Sequence, residues 1–156
     1  GHSAGGVLGR LHMVLHPEQP VSALITIASP HLGTERAGLG LQAGQSPRGW
    51  VTGLLGADTL NRSQGLYFDL ARERPGNLLF WLNGQPHPDI RYTSIMRIGT
   101  FYMPGDHLVP PPSQDLNRVP ALTGHAQTYS MAQGHLLTPQ DGDLIGNLLT
   151  TTEPAE

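Results

Sequence analysis

The chain has 156 residues, a length that suits one domain with a sizeable core. Its formal net charge is −3 and no run of like charge occurs, so nothing in it points to nucleic acid or an anionic membrane surface. It has no cysteine, which excludes disulfides, thiolate catalysis and cysteine-ligated zinc, and no apolar run approaches the roughly 18 residues of a membrane span.

The chain opens on GHSAGG, a glycine-any-serine-any-glycine pattern with Ser3 at its centre. Residues 4 to about 16 follow as an expected helix, with Val7, Leu8, Leu11, Val14 and Leu15 at helical spacing. Pro17 and Pro20 end it. Ala23 to Ala28 is short, apolar and β-branched, as a strand buried on both faces of a parallel sheet is. A helix leading into such a strand is half of a β-α-β unit, so a strand is expected just upstream of Gly1.

Residues 35–88 read as an insertion packed over the sheet. Glycine and small residues are frequent, and the expected helices are short: a stripe of Trp50, Val51, Leu54 and Leu55, then RSQGLYFDLARE, then GNLLFWLNG. Ile90 to Ile98 is an expected strand, and a proline-rich loop, YMPGDHLVPPP, follows. AQTYSMA, residues 126–132, is a further short strand. Thr138, Pro139 and Asp141 form a helix start: a capping hydroxyl, a proline at the first helical position and an acid in the first turn. Leu144, Ile145, Leu148 and Leu149 give that helix its apolar stripe. The order helix, strand, insertion, strand, strand, helix suits the second half of a doubly wound α/β sheet.

A serine hydroxyl needs a base to take its proton, an acid to orient the base and donors to hold the oxyanion. In an open parallel sheet such groups sit just past the carboxyl ends of strands. Ser3 lies at the turn into the first helix. Gly1 and Gly5 are expected there because a side chain at either place would crowd a tight strand-turn-helix. The Ala4 N–H, at the helix start, is placed to donate to an oxyanion. Among eight histidines, His135 follows a strand at its carboxyl end, whereas His125 precedes the same strand. His12 and His16 stand at metal-binding spacing on a helix without an intervening glutamate, and His31, His87 and His107 read as loop or core histidines. Asp106, in PGDHLVP after the Ile90 strand, is the candidate acid; Asp115 is the reserve, and Asp89 lies at the wrong end of its strand.

GHSAGG, ITIASPHLGT, GDHLVPPPS and QGHLL together resemble the α/β-hydrolase superfamily, and within it bacterial lipases and esterases of the triacylglycerol-lipase type. The resemblance implies the carboxyl-terminal half of a doubly wound, mostly parallel α/β-hydrolase sheet, with residues 35–88 as a cap-like insertion within a partial domain over residues 1–156. It implies a serine hydrolase of carboxylic, lipid-like esters, with Ser3 as nucleophile, Asp106 as acid, His135 as base and Ala4 as one oxyanion donor. No cofactor or metal is implied, and the partner is a small-molecule ester or lipid. Trp50, Leu54, Leu55, Phe68, Leu70, Phe80 and Trp81 are candidates for an acyl site or for ordinary core. The loop from Gly99 to Gly105 is longer than the family pattern between strand and acid. Without the family's amino-terminal half, the chain alone is expected to be inactive or nearly so. A thioesterase, an amidase, an acyltransferase on the same residues and a non-catalytic binding module are the alternatives.

Overall fold

The computed structural model describes residues 1–35, 64–100, 103–104 and 106–150. The expected stripe of Trp50, Val51, Leu54 and Leu55 lies outside the described residues. The elements are α1 (Ala4–Leu15), β1 (Ala23–Ile27), α2 (Gln64–Leu70), α3 (Leu78–Asn83) and β2 (Arg91–Arg97). They continue with β3 (Gly99–Thr100), β4 (Met103–Pro104), α4 (Pro111–Gln114), two 3-10 turns (Leu116–Arg118 and Pro120–Leu122), β5 (Ala126–Met131) and α5 (Pro139–Thr150).

β1, β2 and β5 form one parallel sheet in the order β1-β2-β5. The chain start extends it by an edge: His2 forms a parallel bridge with Ile27, the Ile27 N–H donates to the Gly1 carbonyl, and the Ser3 N–H donates to the Ile27 carbonyl. The extra length after β2 is taken up by an antiparallel ladder of β3 and β4, in which Gly99 pairs with Pro104 and Thr100 with Met103.

Alternation along β1 and β2 sends side chains to opposite faces, and helices cover both. On one face Met13 of α1 packs with Tyr92 and with Leu116, Val119 and Leu122 of the 3-10 turns. On the other, Ile27 and Ile95 pack against Leu144, Ile145 and Leu148 of α5. A third cluster joins Val7 of α1 to Leu70, Leu79 and Leu82 of α2 and α3. Leu70 is therefore core, while Phe68, Phe80 and Trp81 stay exposed.

The buried face of α1 differs from the apolar stripe. Gly6, Val7, Arg10 and Met13 are buried, whereas Leu8 and Leu15 are exposed. Two contacts turn the helix this way. A Cβ on Gly6 would lie 2.1 Å from the Ser29 hydroxyl, so the helix approaches β1 along Gly6. Arg10, one turn on, is drawn inward by a polar cluster described below. The crowding expected at the elbow glycines holds at Gly1, whose Cβ would meet the backbone of Gly5 and Gly6 at 2.7 Å. It does not hold at Gly5, where a Cβ meets nothing within 4 Å among the described residues; Gly5 points away from the sheet.

Gly6→Val is expected to destabilise the protein by about 1–3 kcal/mol, the usual cost of overpacking. Gly5→Ala should be neutral or gain up to about 1 kcal/mol of helix propensity. Urea unfolding midpoints of the two variants check this; equal midpoints would contradict the close approach at Gly6.

Candidate active site

The carboxyl edge of the sheet collects one polar residue per strand. Ser3 follows the bridge at His2, His31 follows β1, Asp106 lies beyond β2 and the β3–β4 ladder, and His135 follows β5. His125 and Asp89 precede β5 and β2, at the opposite edge. Asp115 caps the first 3-10 turn by accepting from the Asn117 N–H at 2.9 Å.

Ser3 has φ 52° and ψ −129°, a conformation non-glycine residues rarely adopt. Such strain persists only where the surroundings enforce it. Here the ladder to Ile27 holds one side, and the Gly6 N–H bond to the Ser3 carbonyl, 3.1 Å, holds the other. The turn carries the hydroxyl to 3.1 Å from His135 Nε2. His135 Nδ1 lies 2.9 Å from Asp106 Oδ2. With Nδ1–H donating to the carboxylate, Nε2 keeps a lone pair towards the serine. The structure thus brings Ser3, His135 and Asp106 into one hydrogen-bonded chain. The His135 side chain is 10% exposed and that of Asp106 fully buried.

The Asp106 carboxylate is saturated with donors. Oδ1 accepts from the Leu108 and Val109 backbone N–H groups, and Oδ2 also accepts from Gln114 Nε2 at 3.1 Å. Gln114 is buried at the end of α4, and its role was not visible in the sequence. His2, within the elbow, bonds through Nε2 to the His135 carbonyl at 2.8 Å and lies against its ring. The Ala4 N–H is the first of α1, among the helix donors that have no carbonyl in their own helix.

The SPHLGT turn braces the acid loop. The His31 N–H donates to the Ser113 carbonyl, the Leu32 N–H to the Ser113 hydroxyl, and Thr34 Oγ1 to the Leu108 carbonyl. Behind it lies a buried cation held by neutral acceptors. Arg10 donates to Asn83 Oδ1 at 2.8 Å, to His87 Nε2 at 3.1–3.2 Å and to His31 Nδ1 at 3.3 Å. The network fixes both tautomers: His31 Nε2–H donates to Thr26 Oγ1, and His87 Nδ1–H to the Gln85 carbonyl. Burial lowers the Arg10 pKa to about 10, countered by Tyr92 and Glu73, so the guanidinium stays charged at neutral pH. Burial, then Arg10, pushes His87 down to about 4, against a raising bond to Gln85. Burial, then the charge of Arg10, holds His31 well below its ordinary value.

Among the described residues, two cavities lie away from Ser3, His135 and Asp106. One of about 660 Å³ opens at the amino edge of the sheet, lined by His87, Asp89, Tyr92 and His125. The other, of about 610 Å³, lies between the sheet and α5, near Ile25, Tyr129 and Leu148. Among the described residues no group of three or more His, Asp or Glu is arranged to hold a metal ion. The His12 and His16 rings lie 4.9 Å apart on exposed helix surface, with Glu18 3.6 Å from His16. No helix of the described residues is long and apolar enough to cross a membrane.

No family model matches the chain, and no curated protein matches it. Among solved structures it superposes on the crystal structure of the Bacillus licheniformis lipase BlEst2 in mature form, with a TM-score of 0.57 at 14% sequence identity. The match covers 96% of this chain and 63% of the lipase, so the chain spans less than two thirds of that protein's length. The likeness shows the fold: a small α/β structure with a three-stranded parallel sheet flanked by helices, as in that lipase.

The histidine cluster has a pH consequence. Unfolded, His87 takes its proton near its ordinary value of 6.5; folded, near 4. Between those values the unfolded chain binds more protons, so stability declines as pH falls from 6.5 towards 4 and is complete above that window. The urea midpoint is expected to be lower at pH 5 than at pH 7, and His87→Gln should flatten the dependence. An unchanged slope in the variant would count against it.

Proposed function

We propose that the chain carries the catalytic residues of a serine hydrolase acting on carboxylic esters with apolar acyl groups. The observation that carries this reading is the run of contacts Ser3 Oγ to His135 Nε2 to Asp106 at the carboxyl edge of a parallel sheet. The strained backbone at Ser3 supports it, since it aims the hydroxyl away from its own strand.

In this reading His135 Nε2 takes the Ser3 proton as Oγ attacks the ester carbonyl. The oxyanion that forms lies towards the Ala4 N–H at the start of α1, where the helix dipole also favours negative charge. Collapse expels the alcohol, which takes the proton from His135. A water then attacks the acyl-enzyme, giving its proton to His135; collapse breaks the bond to Ser3 Oγ, which takes that proton back, and releases the carboxylic acid. Asp106 keeps its charge and holds the imidazole in the tautomer that leaves Nε2 free. Leu136 and Leu137, 64% and 55% exposed directly after His135, offer apolar surface beside the reacting atoms, which favours a lipid-like acyl chain. Residues 35–88, with Phe68, Phe80 and Trp81 exposed on α2 and α3, are the proposed cap.

In the protein that carries this chain, a fluorophosphonate probe is expected to label Ser3. Ser3→Ala should abolish labelling and reduce ester turnover by about 10⁴-fold or more. Labelling confined to another serine, or turnover retained in the variant, would refute the reading.

A further inference from the structure

The base loop, residues 132–138, hangs between β5 and α5 and places His135 near its middle. Both its ends are tied to the side chain of Arg97, the last residue of β2. The guanidinium donates through NH1 to Gln133 Oε1 at 2.8 Å and through NH2 to both oxygens of Asp141 at 2.6 Å. Asp141 in turn accepts from the Thr138 N–H at 2.7 Å, and the Thr138 hydroxyl bonds back to Gln133 at 3.1 Å. One cation therefore grips the residue where the loop leaves β5 and the residue where it enters α5.

The main chain of the same residue grips the acid side. The Arg97 N–H donates to Gln114 Oε1 at 2.7 Å. The Gln114 amide nitrogen reaches Asp106 Oδ2 at 3.1 Å and the Val109 carbonyl at 2.7 Å. Arg97 thus stands between acid and base: its backbone fixes the support of Asp106, and its side chain fixes the loop of His135.

Taking the proposed hydrolase site as given, we infer that Arg97 is the positioning residue that sets His135 against Ser3 and Asp106, acting through its pair with Asp141. A purely structural role fits the geometry poorly. A buried ion pair is weak evidence for stability, because desolvation offsets much of its attraction. The Arg97 and Asp141 side chains are 0% and 3% exposed, and the Arg97 Nε finds no partner among the described residues. An apolar pair could fill the same space, but it could not orient a loop by directional bonds at both ends. Burial opposes the Asp141 charge, yet the bonds from Arg97 and Thr138 outweigh it and hold the carboxyl below its ordinary range. The clamp is therefore ionic at neutral pH.

Two variants test this in the protein that carries the chain. Arg97→Lys keeps the charge and loses the two-pronged grip on Asp141 and Gln133. Gln133→Ala leaves the ion pair intact and cuts one loop tether at a half-buried site, so it folds even if the core variant does not. Both are expected to lower kcat for an ester, and the rate of fluorophosphonate labelling at Ser3, by about tenfold to a hundredfold, as a displacement near 1 Å does. KM should stay within about twofold, the mark of lost transition-state alignment rather than lost substrate binding. The His135 Nδ1–H proton resonance should broaden or shift upfield in both. Wild-type rates with an unmoved resonance in folded Gln133→Ala would overturn the positioning role while leaving the hydrolase reading intact. Failure of the wild-type protein to label at Ser3 would instead overturn the hydrolase reading, and this inference with it.

Discussion

The hydrogen bonds between Ile27 and the first three residues hold up everything at the carboxyl edge. Ile27 donates its N–H to the Gly1 carbonyl and accepts from the Ser3 N–H, both at 2.8 Å. A non-glycine residue at φ 52° and ψ −129° costs about 1–3 kcal/mol if left alone. Ladder bonds on one side and the first turn of α1 on the other keep Ser3 there. β1 is in turn registered against β2, and β2 against β5, residue by residue. The positions of Ser3, His31 and His135 relative to one another are thus a property of strand register. A slip of one residue would turn every side chain of a strand to the other face.

Two buried guanidiniums are accommodated in opposite ways. Arg97 meets a carboxylate, with one guanidinium nitrogen, Nη2, within 2.6 Å of both Asp141 oxygens and the other, Nη1, on Gln133. Arg10 meets two imidazoles and an amide, all neutral. The first arrangement keeps a charge pair at the sheet edge and lends rigidity to loops. The second keeps a lone cation between α1, the SPHLGT turn and α3, and makes that junction depend on two histidines remaining unprotonated.

Much of this fold was legible because its signals are local. The strand at residues 23–28 was marked by β-branched residues without a polar face, and α5 began at Pro139 as its capping residues foretold. Thr138, however, is capped more than it caps: its N–H bonds to the Asp141 carboxylate. That Ser3, Asp106 and His135 would meet at one edge was legible because strand order dictates which loops share it. What the sequence did not disclose depends on contacts between distant segments. The apolar periodicity of α1 pointed to Leu8 and Leu15, but the buried face was decided by Gly6 against Ser29 and by Arg10 among histidines 21 and 77 positions away. Gln114 carried no signal at all. Arg97 carried none either: β2 begins and ends with arginine, and only the burial of Arg97 sets it apart from the exposed Arg91.

The amide of Gln114 has a polarity that its surroundings use completely. Its oxygen faces an N–H of the sheet, and its nitrogen faces the Asp106 carboxylate and the Val109 carbonyl. Rotating the group by half a turn would set donor against donor and oxygen against oxygen. Glutamate, which has the same shape and differs by one NH2 for O, would face two anions toward each other in a buried space. One of the mildest exchanges in protein chemistry is therefore closed to this position, and a natural variant carrying it would have to recruit a proton or a cation to survive.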